Sequence, residues 1–495
     1  MAISVEKRFE PPAIEFEECV EENSEDRLTW TPYMYFKDFV TEEMLQEIAE
    51  ETNLYSVQKD GKSVNTNAKE IEQILGMYMH MGLDQMPNIQ AYWEMETRYP
   101  AVCDVMSRGR FLKLLMLIHF QDNLNEDAKK DKLWKLRPWL EQLCQSFLSI
   151  PPEECHAADE IMVPFKGKSH LRCYMPGKPH KWGFKMWGRA GQSGYLYDFD
   201  VCQGADVGAS GDVLKMTSAL PAGQNHKVFA DNYFTSVPLV EHSKQRGIYY
   251  IGTVRMNRGK NCQLMDENDL KKKGRWSLDF RVNQEDIIIV RWYDNKAVNL
   301  ISSFVGIEPL GSAKRWNRKA KSHIMVPRPA IVDTYNRFIG GVDHLDTLTA
   351  LYKYNFRSRR WYLYIWWHTV TVAVIHAWIR YKRDLEKLKT SQKPLPLRRF
   401  QAYVATSLTS AGKGKKCGRP LSSPEATPTP TRKRKSTVMP PDVIRDGIDH
   451  FPTWETRQRC KHCTGHFAHV YCVKCRVHLC MNKDRNSFLA YHHAK

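Results

Sequence analysis

The sequence lacks an apolar leader, because its first residues, Met-Ala-Ile-Ser-Val-Glu-Lys, contain no run of hydrophobic side chains. A secreted protein is therefore not expected. Cysteine is scarce as well, with 13 in 495 residues, and five of these crowd into the segment 460–480. The other eight are scattered, which excludes a disulfide scaffold and favours reduced thiols with one local metal module.

Acidic side chains are also in deficit. Asp and Glu number 56 against 73 Lys and Arg, which gives a formal net charge of +17 and a pI near 9.2. This surplus of cations favours an acidic polymer as partner, and nucleic acid is the first candidate. Charge alone leaves open a merely soluble basic protein.

Long uncharged runs are scarce, and the clearest one is Trp361–Ile379, which contains no Lys, Arg, Asp or Glu. Its length approaches that of a membrane-spanning helix. Because it contains His368 and His376 and lies between basic, soluble-looking regions, we predict a buried or interface helix and no membrane partner. Such a helix is too apolar to be left in water, so it is expected to pack on the N-terminal helices and contribute to a homodimer.

Changes in composition and in the spacing of apolar residues divide the chain into segments. Residues 1–28 are acidic and polar and are predicted to form a disordered tail. From 29 to 155 the apolar residues recur at helical spacing, as in the run that follows the capping residue Thr41. From 156 the period changes to that of strands, with Ile161–Phe165, Trp182–Arg189 and Tyr195–Cys202 as three in succession.

A helix, a strand that ends at Asp231, a second helix and a further strand follow these three strands. This order is that of an α/β RNase H-like core, which is predicted over residues 156–256. Three strand patterns within 257–328 then predict a β-rich insertion, and a helix from about Ala330 to Thr349, within 329–350, completes the core.

The last part of the chain contains three further segments. Residues 351–387 are predicted to be helical, 388–450 to be a basic flexible linker, and 451–495 to be a small cysteine-rich domain. The linker contains basic runs at 412–420 and 431–435, which are typical of nuclear import signals or of non-specific DNA contacts. A nuclear location is therefore expected.

Four carboxylates stand in local contexts that suit a metal site. Asp159 lies in an apolar strand pattern, Asp231 follows another, and Asp343 and Asp346 share one helix face through their spacing of three. Carboxylates brought together from such elements can hold two divalent cations, which catalyse phosphodiester displacement. The alternative is that these are solvated surface groups, as most aspartates are.

Two further patterns indicate binding. Arg357, Arg359, Arg360 and Trp361 interleave cations with an aromatic ring, which suits a nucleic-acid surface or simply a solvated helix start. The terminal segment contains two C-x2-C pairs followed by one Cys and one His, a spacing that predicts zinc. The predicted zinc ligands are Cys460, Cys463, Cys472, Cys475, Cys480 and His492.

The sequence resembles the piggyBac-type transposases and their domesticated derivatives from about Tyr33 to the end. The terminal cysteine module matches as well. The resemblance rests on the following motifs: Tyr92-Trp93, Met106–Phe111, His119–Asn123, Asp159-Glu160, Met175–Pro179, Asp231–Ser236 and Gly340–Asp343.

The resemblance implies a DDD recombinase in which Asp159, Asp231 and Asp343 are catalytic and Asp346 supports them. It implies two Mg²⁺ ions, nicking of transposon ends, a hairpin intermediate and joining to TTAA targets. The helices of 29–155 and 351–387 would form a dimerisation and DNA-binding domain. Asn232 and Trp361 match positions near the catalytic DNA.

The chain departs from the family at Ser487, where members usually have a further Cys. Six secure ligands are too many for one tetrahedral zinc and too few for two, so His478 or His493 is expected to substitute, or one site to be open. One or two zinc ions are therefore predicted. Two other functions remain open: a catalytically silent DNA-binding protein and a chromatin adaptor that depends on the zinc module.

Overall fold

The computed structural model describes residues 8–17, 27, 29–126, 128–204, 209–259, 262–317, 321–388, 393–411 and 439–493. The basic runs predicted as import signals lie outside these residues. The helices are α1 (Pro32–Lys37), α2 (Glu42–Asp60), α3 (Ala68–Leu83), α4 (Pro100–Cys103), α5 (Arg108–Leu117), α6 (Arg137–Leu148), α7 (Ala209–Thr217), α8 (Val237–Gln245), α9 (Glu267–Lys273), α10 (Ala330–Phe338), α11 (Gly341–Leu351), α12 (Tyr362–Lys387), α13 (Leu397–Thr409), α14 (Pro441–Ile444) and α15 (Ser487–His492). The strands are β1 (Cys155–Pro164), β2 (Cys173–Tyr174), β3 (Trp182–Gly191), β4 (Leu196–Val201), β5 (Lys227–Ala230), β6 (Tyr249–Thr253), β7 (Leu278–Val282), β8 (Ile288–Tyr293), β9 (Ala297–Ser302), β10 (Gly311–Asn317), β11 (Ser322–Arg328), β12 (Pro452–Arg459), β13 (Phe467–Cys472) and β14 (Val477–His478).

The chain forms two units. The first contains the described residues up to Val40 together with Glu126–Leu351 and Phe356–Pro394, and the second contains Thr41–Asn125, Tyr352–Asn355 and the described residues from Leu395 onward. This division differs from the predicted grouping, in which 29–155 and 351–387 formed one helical domain. The difference arises because α1, α6 and α12 pack with the sheet of the first unit.

The first unit is built on one mixed sheet with the order β2-β3-β1-β5-β6-β9-β8-β7, in which β4 also pairs with β3. Strand β1 is antiparallel to β3 and parallel to β5. Strands β7–β9 therefore extend the central sheet, although the sequence predicted them within a separate insertion. Of that interval, only β10 and β11 form a sheet of their own.

The two faces of the sheet are covered by different helices. One face contributes Ala158 and Val228 to a core that contains Val213 of α7 and Val240 of α8. The opposite face contributes residues that include Phe229 to a core that contains residues of α10. Successive side chains of a strand point to opposite faces, so Asp159 points to the face opposite that of Ala158.

The predicted helix Ala330–Thr349 is two helices, α10 and α11, which are separated at Ile339 and Gly340. The break places the start of α11 directly on the sheet. A Cβ on Gly341 would lie 2.6 Å from the carbonyl oxygen of Gly191 and 3.3 Å from Cβ of Ala157. Because Ala157 and Asp159 share a strand face, α11 begins on the same face as Asp159.

Helix α12 contains the predicted apolar stretch and is buried by its own chain. Thr369 accepts a hydrogen bond from Trp139 of α6 at 2.9 Å, and His376 packs on Phe147 with ring centroids 4.1 Å apart. The hydroxyl of Tyr35 in α1 donates to Asp384 of α12 at 2.9 Å, so the expected packing on N-terminal helices is present for both α1 and α6. Because these contacts cover the helix, its apolar surface no longer argues for a homodimer.

No helix in the described part of the chain is both long and apolar enough to cross a membrane.

The prediction of a disordered tail fails for residues 8–17. Phe9 is buried in the core beneath β8 and α10, and the backbone carbonyl of Glu15 accepts a hydrogen bond from Asn225 at 2.8 Å. The acidic composition of this segment hid the few apolar residues that attach it.

The second unit contains α2–α5, α13–α15 and β12–β14. The predicted flexible linker 388–450 is wrong for residues 397–409, which form α13. Phe400, Val404 and Leu408 recur at a spacing of four and are buried, and α13 lies so close to α3 that a Cβ on Gly76 would meet the Ala405 carbonyl at 2.8 Å. The surrounding Pro, Ser and Lys residues concealed this apolar stripe.

Candidate active site and cysteine-rich module

The first two predicted carboxylates belong to neighbouring parallel strands, with Asp159 in the middle of β1 and Asp231 directly after the end of β5. Strands β1 and β5 pair in register up to Ala158 and Ala230, and Asp159 and Asp231 are the next residues of the two strands. Residues paired on parallel strands point to the same face, so the two carboxylates are brought side by side.

Both carboxyl groups are half-buried, and their surroundings disfavour the charged form. Burial, with a hydrogen bond to Glu160, raises the pKa of Asp159 to about 8. Burial also raises the pKa of Asp231, and the charge of Glu160 adds to this effect. The backbone N–H of Tyr233 donates to Asp231 at 2.8 Å and opposes the shift. A bound cation would favour the ionised form of both groups.

Asp343 and Asp346 lie on α11, where Asp343 is exposed and Asp346 is half-buried. Within the described part of the chain, sets of three or more Cys, His, Asp or Glu ligand atoms within 4.8 Å of one another occur in the cysteine-rich module and not around these carboxylates. The structure therefore places the start of α11 on the same face of β1 as Asp159 but does not bring all four carboxylates to the distances of one ion.

Three neighbours of the carboxylates were missed by sequence reasoning. Tyr335 of α10 has its pKa raised to about 12 by burial, and the charges of Asp231 and Asp159 add to the shift. Lys178 donates to the Glu160 carbonyl at 3.0 Å. The third neighbour is Arg255, which donates a hydrogen bond to Asn232. Lys178 lies in a motif that supported the family resemblance, whereas no pattern in the sequence distinguished Tyr335.

The predicted DNA-binding Asn232 accepts a hydrogen bond from Arg255 at 2.9 Å. The next residue, Tyr233, forms part of an aromatic box around a lysine. The amine of Lys185 lies 3.4 Å from the centroid of the Trp187 ring and 4.5 Å from that of Tyr233. The loop that follows Asp231 is therefore held by an interaction between a buried cation and two rings.

The predicted basic cluster lies at the start of α12. Arg357 and Arg359 are exposed, whereas Arg360 donates to the hydroxyl of Tyr362 at 3.1 Å. Trp361 is half-buried, with its ring centroid 6.0 Å from that of Phe184 on β3. Two of the three arginines thus have their charge open to solvent.

The six predicted zinc ligands fall into two groups, each with all its ligand atoms within 4.8 Å of one another. We call the first the closed group because it has four members, the number that a tetrahedral zinc requires. Its members are His450, Cys472, Cys475 and His492. His450 Nδ1 lies 3.6 Å from the sulfur of Cys472 and 3.4 Å from that of Cys475.

The closed group has donors that fit a metal. His492 donates from Nδ1 to the Phe488 carbonyl at 2.8 Å, which leaves its buried Nε2 without a hydrogen-bond partner. His450 pairs through Nε2 with Asp446 at 3.1 Å, an arrangement that orients metal-binding imidazoles. The pKa of the Cys472 thiol is lowered, chiefly by a hydrogen bond from Cys475.

The second set, which we call the open group, consists of Cys460, Cys463 and Cys480. The sulfur atoms of Cys463 and Cys480 lie 3.6 Å apart, and the Cys480 N–H donates to the Cys460 sulfur at 3.4 Å. Three thiol donors suit a soft or borderline cation such as zinc.

The expected substitution by His478 or His493 is not what the structure has, because neither belongs to either group. His450 was missed instead. It lies ten residues before Cys460, outside the C-x2-C spacing that identified the other ligands. A histidine this far upstream is recognisable only once β12 and β13 fold back on each other.

A family model described as Transposase IS4 matches residues 31–378, an interval that includes all four predicted carboxylates. The match covers well over half of the chain. The match places the chain in a family of transposases.

Human PiggyBac transposable element-derived protein 3 is 30% identical over 465 residues, with 91% of this chain and 74% of that protein covered. Human PiggyBac transposable element-derived protein 2 is 31% identical over 390 residues, with 76% of this chain covered. The chain spans only 64% of the length of the latter protein. A solved structure of a piggyBac transposase synaptic complex with hairpin DNA shares the fold at 20% identity, with a TM-score of 0.68 and 92% and 96% of the two chains covered. This chain belongs to the piggyBac-type transposase family, which confirms the resemblance found in its motifs.

Proposed function

We propose that this protein is a DNA transposase that binds the double-stranded ends of a transposon, cleaves them through hydrolysis and hairpin formation, and joins them to TTAA targets. One observation supports this most directly. Asp159 and Asp231 directly follow the last paired residues of two neighbouring parallel strands, and the helix that carries Asp343 begins on the face of β1 to which Asp159 points.

Two Mg²⁺ ions held by Asp159, Asp231, Asp343 and Asp346 would activate the attacking water and stabilise both oxygens of the displaced phosphodiester. A site for two ions does not require all four carboxylates to reach the same ion. The backbone pairing of β1 and β5 determines the positions of Asp159 and Asp231. The contact of Gly341 with the sheet determines the position of α11, which carries Asp343 and Asp346.

The DNA would lie across the start of α12 and the Asp231 loop. Arg357 and Arg359 are exposed and would bind phosphates, Trp361 would stack on a base, and Asn232 would be oriented toward the DNA by Arg255. Arg360 would bind more weakly, because it already bonds to Tyr362. We propose a homodimer, since two DNA ends must be held together, and light scattering with end DNA tests it.

The decisive experiment is cleavage of end DNA with Mg²⁺ by Asp159→Asn, Asp231→Asn, Asp343→Asn and Asp346→Asn variants. Each of the first three should lower the rate roughly 100- to 1,000-fold or more, while the fold and DNA binding are kept, and Asp346→Asn should be milder or comparable. Asp269→Asn on the exposed surface of α9 is the matched control. Wild-type cleavage by the Asp231 variant would show that the site is wrongly assigned.

We further propose that the cysteine-rich module holds one or two Zn²⁺ ions, reads DNA or assists nuclear import, and takes no part in cutting. The donor sets of the closed and open groups support zinc. Elemental analysis of the purified full chain counts the ions, and a fluorescent fusion in cells tests the nuclear location.

The second candidate function is a catalytically silent protein that binds specific DNA or adapts other proteins to chromatin. It is favoured by the relatives, which are described as derived from transposable elements. Full DNA binding by the wild-type chain without any Mg²⁺-dependent cleavage would support this function over the first.

A further inference from the structure

The two ligand groups of the cysteine-rich module differ in their number of donors. The closed group has two imidazoles and two thiols, whereas the open group has three thiols. Among the described residues, no fourth Cys, His, Asp or Glu donor lies within 4.8 Å of all three sulfurs of the open group. A zinc ion at the open group would therefore have three ligands from the described residues, one fewer than a tetrahedral site requires.

Ser487 follows the open group in the chain and is the position at which the motif comparison expected a further Cys. It is the first residue of α15 and is buried, with 6% of its surface exposed. The next residue, Phe488, donates its N–H to the carbonyl of Cys480 at 3.2 Å, so Ser487 lies beside the open group. Zinc in proteins is bound by thiolate, imidazole and carboxylate, and a serine hydroxyl is none of these.

The same short helix serves both groups. His492, at the other end of α15, belongs to the closed group. A residue outside the closed group holds one of its members in place. Asp446 pairs with His450 at 3.1 Å and with the amine of Lys474 at 2.6 Å. The buried His478 belongs to neither group, and its Nε2 lies 3.9 Å from a carboxylate oxygen of Glu455. His462, between Cys460 and Cys463, is exposed.

We propose that the open group is a three-thiolate zinc site whose fourth position takes an exchangeable ligand from solution, either water or a small nitrogen or sulfur donor. The closed group is then a structural zinc site, and the open group is a ligand-binding one. Zinc sites in proteins that keep one coordination position free of protein ligands are those at which the ion binds water or a substrate. The inference rests on the zinc binding proposed above and is independent of DNA cleavage.

Cobalt substitution of the full-length protein tests this proposal, because the visible bands of Co²⁺ report the number and type of its ligands. Two Co²⁺ ions should bind, and added imidazole should shift the bands of one of them. Ser487→Cys should complete a four-thiolate site, which moves these bands to longer wavelength and abolishes the imidazole response. Ser487→Ala, the matched control, should behave like the wild type.

A chelator provides a second measurement. One equivalent of zinc should leave the wild-type protein roughly 10- to 100-fold faster than the other, by analogy with the effect of outer-shell support on metal affinity. In Ser487→Cys both equivalents should leave slowly. His450→Ala should instead speed up loss of the slow equivalent.

Three outcomes would overturn the proposal. Two Co²⁺ ions with no imidazole response would mean that the fourth position is filled by the protein, and an altered spectrum in Ser487→Ala would identify the serine oxygen as that ligand. A single bound Co²⁺ would mean that the open group is not a metal site. Binding of no metal would instead remove the zinc proposal itself, while DNA cleavage would remain a separate measurement.

Discussion

Gly341 lies against the carbonyl group of Gly191, so close that a Cβ on Gly341 would approach that oxygen to 2.6 Å. This contact sets the position of α11 on the sheet and thereby the position of Asp343, two residues further on. The glycine is needed because the helix backbone and the strand backbone touch here. It is not needed for a left-handed conformation.

Gly341→Ala should push α11 away from β1 and β3. We expect a loss of about 1–3 kcal/mol in stability from overpacking and a loss of Mg²⁺-dependent cleavage on the order of 100-fold from misplaced carboxylates. Gly340→Ala is the control, because nothing lies within 4 Å of a Cβ at that position. Thermal unfolding and a cleavage assay measure the two effects. Equal behaviour of the two variants would contradict the proposed role of the contact.

Lys185 should matter for catalysis through its position between Trp187 and Tyr233. Lys185→Met should lower stability by up to about 2 kcal/mol, the contribution of a desolvated cation–π interaction, and should slow cleavage because the Asp231 loop loses its support. Lys382→Met removes a similar contact, 3.8 Å from the Trp378 ring in α12, and should leave cleavage unchanged at comparable stability. Titration with Mg²⁺ separates the two, since only the Lys185 variant should need more metal.

The exposed arginines predict a change in salt dependence. Each phosphate contact contributes about 0.9 to the slope of log affinity against log salt concentration. The double variant Arg357→Ala/Arg359→Ala should therefore flatten the slope by about 1.8 units if each arginine neutralises one phosphate. Lys271→Ala/Lys273→Ala changes the net charge equally on the exposed end of α9 and should leave the slope as it is. An unchanged slope in the arginine variant would place the DNA elsewhere.

Buried histidines should make the first unit sensitive to acid. Burial lowers the pKa of His376 well below its ordinary value, and its Nε2 accepts a hydrogen bond from the Leu196 N–H at 2.9 Å. The folded state therefore keeps this ring neutral, and the unfolded state binds a proton below about pH 6.5. Stability is fully present above that pH and is lost as pH falls, by about 1.4 kcal/mol per pH unit for one such group.

The variant His376→Gln retains an acceptor for Leu196 but has no group that titrates in this range. Its thermal unfolding midpoint should fall less steeply between pH 6.5 and 5 than that of the wild type. Some slope should remain, because burial also lowers the pKa of His156 far below normal. Parallel curves for the two proteins would show that His376 is not the group responsible.

Asp446 should control the affinity of the closed group for zinc. Asp446→Asn replaces the carboxylate that accepts from His450 by a neutral amide, and it removes the ion pair with the amine of Lys474. The affinity of the closed group for zinc should therefore fall roughly 10- to 100-fold. The exposed Asp484, mutated to Asn, is the control within the same module. Competition with a chelator of known affinity measures the difference. Unaltered affinity in the Asp446 variant would mean that the carboxylate is not part of the site.

Much of the site could be predicted from the sequence, because its signals are local. Asp159 and Asp231 each lie in a strand pattern, and the spacing of the two C-x2-C pairs is enough to predict a metal site. His450 and Tyr335 could not be found this way, since each reaches its partners only through tertiary folding. The extension of the sheet by β7–β9 was also invisible, because a strand pattern does not state which strand it pairs with.

Two interpretations were misled by composition. The basic, proline-rich surroundings of residues 397–409 hid an apolar stripe of period four, and the charge of the N-terminal segment hid Phe9. The prediction for α12 was correct about burial, but an uncharged run in a sequence does not reveal whether the same chain or a second copy covers it.

The burial of α12 has a consequence for how the protein is made. The acceptor for the Leu196 N–H is His376, which lies 180 residues later in the chain. Synthesis of these 180 residues by the ribosome takes roughly 9–36 s. Until then the Leu196 N–H lacks this acceptor, and the ring of Trp139 lacks its partner Thr369. A message truncated before residue 361 would thus yield a chain that cannot close its core.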